Sequence, residues 1–177
     1  AKNQFPQIND AWVESLTKIK NDSPPNALLT SWWDWGHWFT AIAQRKVTMD
    51  GGDQGERIHW VGKTLVTDKE KEAIGILRML NCGQEQAPHI LEERLNNNTA
   101  AAVDVLNDIV LLDEQGARTY LTTAGFPSDV TERTLQTTHC RDLLPNYFIT
   151  SADMVGKAGV WGHFGSWDFH RAQIYQD

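Results

Sequence analysis

The amino-acid sequence predicts a mixed α/β, helix-rich fold: a single compact domain over residues 1–177, with a small sheet surrounded by helices. Three observations predict it. Apolar residues recur at helical spacing in several segments, short apolar runs between them read as strands, and no repeat, low-complexity run or linker divides the chain. The composition is that of a globular protein, with 41% hydrophobic and 22% charged residues and a mean hydropathy of −0.45. A chain this long buries roughly 70% of its unfolded surface, enough for one real core.

The elements follow in order. Trp12, Leu16 and Ile19, with Asn9 or Asp10 as cap, predict a first helix near 10–20, stopped by Ser23-Pro24-Pro25. The run Ala27–Thr30 reads as a buried strand. Ser31 and Asp34 have capping-box spacing, which predicts a second helix through Gln44, and Gly51–Gly55 reads as a loop. Thr67 and Glu70 repeat that spacing ahead of Ala73, Ile74, Leu77 and Leu80, and Gly83 is placed to end that helix in the left-handed conformation. Thr99–Asp113 and Gly116–Ala124 predict two more helices, and Asp129 with Glu132 a third. Tyr147–Thr150 reads as a strand and Ser151–Lys157 as a helical turn. Cys82 and Cys140 are too few for a disulfide framework, and their spacing leaves open whether they pair.

Charge narrows the partners. Sixteen Lys and Arg against 23 Asp and Glu leave a net charge of −7, and an acidic surface repels phosphate, so nucleic acid is not an expected partner. No stretch approaches the ~20 apolar residues of a membrane-crossing helix. The chain begins at Ala1 without a recognisable signal peptide, and we read it as a processed product or a piece of something longer.

One count is out of line. There are eight Trp, and Trp32, Trp33, Trp35 and Trp38 fall within seven positions. In Ser31-Trp32-Trp33-Asp34-Trp35-Gly36, each indole supplies one N–H donor and the carboxylate supplies acceptors. A hydroxyl has one proton and two lone pairs, so two indoles and one carboxylate satisfy it completely. Such a pocket rejects an analogue lacking the hydroxyl, because its own polar groups are then left unpaired. The competing reading is a helix cap at Asp34 with the indoles in the core. Two adjacent Trp do not both point inward from one helix face, which favours function for the cluster.

These residues carry a resemblance. Ser31–Gly36 resembles the Trp-Trp-Asp-Tyr-Gly signature of the catalytic subunit of archaeal oligosaccharyltransferases, and His37–Lys46 with Asp50-Gly51-Gly52 is similar to its continuation. Thr150–Lys157, running on to Trp161, resembles the family's second signature, an Asp/Lys element with a bulky apolar residue four positions after the Lys. Residues 64–80 and 145–169 resemble the family moderately, and 84–140 show no resemblance. Two departures stand out. Trp35 replaces the family's Tyr, and Met154 stands where the family's Asp precedes Lys157 by three, with Asp153 at the i−4 spacing of a helical ion pair.

The resemblance implies an enzyme that moves a glycan from a lipid-phosphate carrier, such as dolichol, to Asn in Asn-X-Ser/Thr. Its catalytic centre, with a divalent Mn or Mg, is expected in an N-terminal transmembrane region, so this segment carries no catalytic residue or cofactor and by itself no transferase activity. Carried over by position, Trp32, Trp33 and Asp34 bind the Ser/Thr hydroxyl and Lys157 and Trp161 form the second wall, with Trp161 or Met154 as the apolar contact for the Thr methyl. The partners are then an acceptor protein bearing the sequon and a lipid-linked oligosaccharide. The location is the cell membrane, with this domain on the extracytoplasmic side.

Other features rank lower. Asn97-Asn98-Thr99 is itself a sequon, making Asn97 a glycosylation candidate, although Thr99 also suits a helix cap. Trp12, Trp60 and Trp167 read as core. Two alternative functions remain: a stand-alone carbohydrate-binding module using exposed indole faces, and a metal-dependent hydrolase using His163, Asp168 and His170.

Overall fold

The computed structural model describes residues 8–174. Asn9 caps the first helix, α1 (Asp10–Asp22), its side chain accepting from the Trp12 amide at 3.1 Å. Leu16 is fully buried on its inner face, and α1 stops at Ser23 before the two prolines. The buried Arg45 guanidinium donates to the carbonyls of Lys20 and Ser23, each at 2.6 Å, and so satisfies carbonyls that the end of a helix leaves unpaired.

Three short strands form a parallel sheet in the order β2-β1-β3: β1 (Leu28–Thr30), β2 (Lys46–Val47) and β3 (Asn146–Phe148). Leu29 aligns with Val47 on one side and Tyr147 on the other. The central strand is buried throughout, which is why it reads as a continuous apolar run rather than an alternating one. β3 starts one residue before the predicted Tyr147–Thr150 and ends two residues short of it.

The predicted helix after β1 is instead irregular. A 3₁₀ turn (Trp33–Trp35) leads into the short α2 (Gly36–Trp38) and a π-helical turn (Phe39–Ala43), ending at Gln44 with φ 53°. The Ser31/Asp34 capping box does not form. Both side chains are taken by residues more than 110 positions away, a competition invisible to local spacing.

The helical body comprises α3 (Arg57–Val66), α4 (Glu70–Gly83), α5 (Gln86–Arg94), α6 (Thr99–Ile109), α7 (Glu114–Thr123) and α8 (Ser128–Thr138). After β3 come α9 (Ala152–Val155), α10 (Ala158–Gly165) and α11 (Phe169–Ile174). Local details differ from expectation. Gln84, not Gly83, takes the left-handed backbone (φ 55°), and Ile74 points outward while Ile76, Met79 and Leu80 enter the core. Asn98, not Thr99, caps α6 by accepting from Ala101, while the Thr99 hydroxyl donates to Glu92. A disulfide joins Cys82, near the end of α4, to Cys140, just past α8.

Two apolar clusters divide the interior. The larger contains Trp32, Trp60 and the inner faces of α3 to α8, and the smaller packs Leu16, Leu29, Phe39 and Ala43 against Trp12 and Trp35. Trp167, expected in the core, is 43% exposed because it lies on the outer side between α10 and α11.

Helix α10 reaches the larger cluster through backbone contact with α3. A Cβ on Gly165 would stand 2.3 Å from the Gly62 carbonyl carbon, and one on Gly62 would stand 2.7 Å from the Trp161 carbonyl oxygen. Neither position has room for a side chain. The His59 Nδ1–H donates to the Phe164 carbonyl at 2.9 Å across the same crossing.

Two outcomes follow from this crossing. Gly165→Ala should lower unfolding free energy by about 1–3 kcal/mol in urea titrations, as overpacking does. Burial pushes the His59 imidazole down from 6.5 to about 4, opposed by the Phe164 carbonyl and assisted by Lys63. The unfolded chain then binds the proton first as pH falls, so this stability is present above pH 6.5 and lost on the way to about 4. Between pH ~7 and pH ~4.5, the native protein should lose about 2 kcal/mol more than a His59→Gln variant, measured by urea denaturation.

Candidate functional site

β1 and β3 run parallel as neighbours, so the segments leaving their C-terminal ends emerge at the same edge of the sheet. Open parallel sheets place ligand sites at that edge. Residues 31–35 and 149–157 meet there, and the backbone amide of Ile149 still donates to the Thr30 carbonyl at 2.9 Å.

The first of these segments keeps one indole inside and turns the next residues toward the second. Trp32 is extended and only 2% exposed, its ring centroid 6.2 Å from that of Phe164 in the larger core cluster. Trp33 is half-buried against the same cluster. The 3₁₀ turn then directs the Asp34 carboxylate to Lys157: Nζ donates to Oδ1 at 2.7 Å. The other oxygen, Oδ2, is buried and has no hydrogen-bond partner among the described residues.

The second segment supplies the opposite side. Lys157 also donates to Asp153 Oδ2 at 3.0 Å, the i,i+4 ion pair that the spacing suggested. Asp153 accepts from Ser151 on Oδ1 and from the Trp35 indole N–H on Oδ2, the latter at 3.2 Å. Met154 is buried, its sulfur 3.9 Å from the Ser31 hydroxyl, and its carbonyl accepts from the Trp161 indole at 3.1 Å. Trp161 is half-buried against the larger cluster.

The charges reinforce one another. Partial burial by itself raises the Asp153 carboxyl, but hydrogen bonds from Ser151, Lys157 and Trp35 outweigh it and hold the group below its ordinary range. Burial likewise opposes the Lys157 ammonium, yet Asp34 and Asp153 raise it. Both groups are therefore ionised at neutral pH.

Four of the residues singled out in the sequence (Asp34, Met154, Lys157 and Trp161) thus meet at one junction, with Trp33 beside Asp34 half-buried against the larger cluster and Trp32 behind it in the core. Asn97 lies elsewhere, exposed on the corner between α5 and α6 with φ 60°, its amide donating to the Glu92 carbonyl. Trp35 and Asp153 are the members that motif matching undervalued. The i,i+4 spacing of Asp153 and Lys157 was the available signal, and the Trp35 contact had none.

The His-rich segment does not gather. His163 stacks edge-on against Trp167 at 5.2 Å, while His170 pairs with Asp104 of α6 at 2.7 Å. Among the described residues, the group whose donor atoms approach one another as metal ligands do is Glu56, just before α3, with His89 and Glu92 of α5, within 4.8 Å. Burial and the charge of Glu92 raise the Glu56 carboxyl there. No described helix is long and apolar enough to cross a membrane.

Comparison with known proteins extends beyond the two signatures. The chain is 38% identical over 169 residues to the dolichyl-phosphooligosaccharide-protein glycotransferase of Methanocaldococcus jannaschii, covering 93% of this chain and 18% of that one. It is also 38% identical over 171 residues to the enzyme of the same name from Methanococcus voltae, with 93% and 18% covered. It therefore spans less than a fifth of the length of these relatives. The crystal structure of the C. jejuni PglB C-terminal domain is similar at a TM-score of 0.47 and 15% identity, covering 86% of this chain and 52% of that one. Residues 84–140, which show no resemblance by motif, fall inside the matched span. That span, residues 25–170, matches the family described as the STT3/PglB/AglB core domain, and it includes both segments that meet at the sheet edge. The chain belongs to that oligosaccharyltransferase family.

Proposed function

We propose that this domain reads the acceptor sequon for a dolichyl-phosphooligosaccharide-protein glycotransferase, binding the Ser or Thr hydroxyl of Asn-X-Ser/Thr at the junction of Asp34 and Trp33. The observation that carries the reading is Asp34: one carboxylate oxygen held by Lys157, the other buried and unpartnered. A buried acceptor without a donor costs free energy, and an incoming hydroxyl proton removes that cost. In this reading the indole N–H groups of Trp32 and Trp33 supply donors to the hydroxyl lone pairs, and the buried Trp32 has to turn outward to do so.

Two further points support the setting. The relatives' name places the acceptor on a protein and the donor on a dolichol-linked oligosaccharide. The Cys82–Cys140 disulfide suits an oxidising compartment, in keeping with an extracytoplasmic domain of a membrane enzyme. The donor lipid, a divalent metal and the transfer step itself belong to the remainder of such an enzyme. A carbohydrate-binding module draws no support from Trp32, whose face is buried, and a hydrolase draws none from the separated His163 and His170.

In the intact enzyme, Asp34→Ala should cut transfer to an Asn-X-Thr peptide at least ~100-fold while the melting temperature changes little, since the hydroxyl loses its charged acceptor. Equal labelling of Trp32–Asp34 by photo-crosslinking peptides with Thr and with Ala at the third position would refute the site. Met154 and Trp161 offer apolar contact to the Thr methyl. Thr peptides should therefore exceed Ser peptides in kcat/KM by about threefold to fourfold, the worth of roughly one buried methyl group.

A further inference from the structure

The 3₁₀ turn Trp33–Trp35 has no side-chain cap of its own. What holds it is a pair of contacts from adjacent residues to the same short stretch beyond β3. Asp34 is bound by Lys157, and the neighbouring Trp35 is bound to Asp153. Asp153 and Lys157 are in turn bound to each other at 3.0 Å. The four side chains form a chain of three polar contacts across the sheet edge, closed into a loop by the peptide bond between Asp34 and Trp35.

Each member uses its donors in a way a substitute would not. The Lys157 ammonium has three N–H donors and spends two on the two carboxylates, which aims it at Asp34 Oδ1 rather than at solvent. Asp153 is fully engaged, with Ser151 on one oxygen and Trp35 and Lys157 on the other. The Trp35 ring is fixed from behind by Trp12 of α1, their centroids 5.0 Å apart at 36°. A chain of fixed groups therefore runs from α1 through Trp35, Asp153 and Lys157 to Asp34, and leaves Asp34 Oδ2 as the unpartnered acceptor.

We propose that Trp35 and Asp153 are positioning residues for acceptor recognition, clamping the Trp33–Trp35 turn to Lys157 so that Asp34 presents a single preset oxygen to the hydroxyl. This rests on the acceptor reading above. Neither residue touches the acceptor, and both act through Lys157 and the backbone of the turn. Trp35 contributes by its indole N–H, a donor that a phenyl ring in the same place lacks. The smaller apolar cluster, which packs α1 against the turn, thereby becomes part of the recognition apparatus.

The test uses the intact enzyme with an Asn-X-Thr peptide. Trp35→Phe keeps the stacking on Trp12 and removes only the donor, while Asp153→Asn keeps an acceptor for the indole and removes the charge facing Lys157. Each should raise the peptide KM by about tenfold with kcat little changed, the pattern of lost ground-state binding. The double variant should be no worse than the worse single, because both break one clamp. In the 177-residue chain, the Trp35 indole N–H proton resonance should move upfield in Asp153→Ala, as a donor that has lost its acceptor does. An unchanged KM in Trp35→Phe, additive losses in the double variant, or an unmoved indole resonance would each overturn the clamp. If Asp34→Ala still abolishes transfer in that case, the acceptor reading stands and only the clamp falls; if Asp34→Ala also keeps the native KM, the acceptor reading itself is lost.

Discussion

The parallel pairing of β1 with β3 is the constraint on which the rest of the site depends. Parallel neighbours send their chains out at the same edge, so residues 31–35 and 149–157 meet although more than a hundred residues separate them. An antiparallel pair would have put the two segments at opposite ends of the sheet. The central strand is only three residues long, and its pairing is reinforced from the side by the Thr30–Thr48 hydroxyl contact at 2.7 Å and the Thr30–Asn146 contact at 3.1 Å. Polar side chains in this buried strand therefore help to fix the register rather than weaken it.

Packing behind the edge supplies the second level of control. α10 follows the Lys157 segment directly and would lie farther from α3 if either Gly62 or Gly165 carried a side chain. Backbone-to-backbone approach leaves little freedom of translation, so the position of Trp161 and, through its indole, of the Met154 carbonyl is set by the helix crossing. His59 adds a directional contact across it. The electrostatic loop at the junction thus sits on a rigid floor, which matters because partly exposed ion pairs contribute little unless their geometry is held for them.

Much of the fold was legible in the sequence. The helices α1, α4, α6, α7 and α8 and the strand at Leu28–Thr30 lie where the sequence predicts them, but of the expected caps only Asn9 of α1 forms: α4 starts after Lys69 without a side-chain cap, and the Thr67 hydroxyl goes to Glu72. The expected cap at Ser31 and Asp34 gave way to partners 123 residues away, and the expected core role of Trp167 to the packing of α10 and α11. The expected cap at Thr99 lost to its neighbour Asn98, with the Thr99 hydroxyl taken by Glu92 seven residues back. Residues 84–140 carry no motif, yet they build much of the larger core and match the family along their length.

The sequence by itself determined that this is a helix-rich α/β domain, that Ser31–Gly36 carries an unusual concentration of donors and acceptors, and that Asp153 and Lys157 stand at ion-pair spacing. Those are local properties, written in composition and period. Tertiary structure alone decided that Lys157 meets Asp34, that Trp35 meets Asp153, that Trp32 turns inward while Trp33 stays at the junction, and that Cys82 and Cys140 pair. Each of these is a contact between segments brought together by strand order and helix crossing, and spacing along the chain has no means of encoding which distant group arrives to claim a donor or an acceptor.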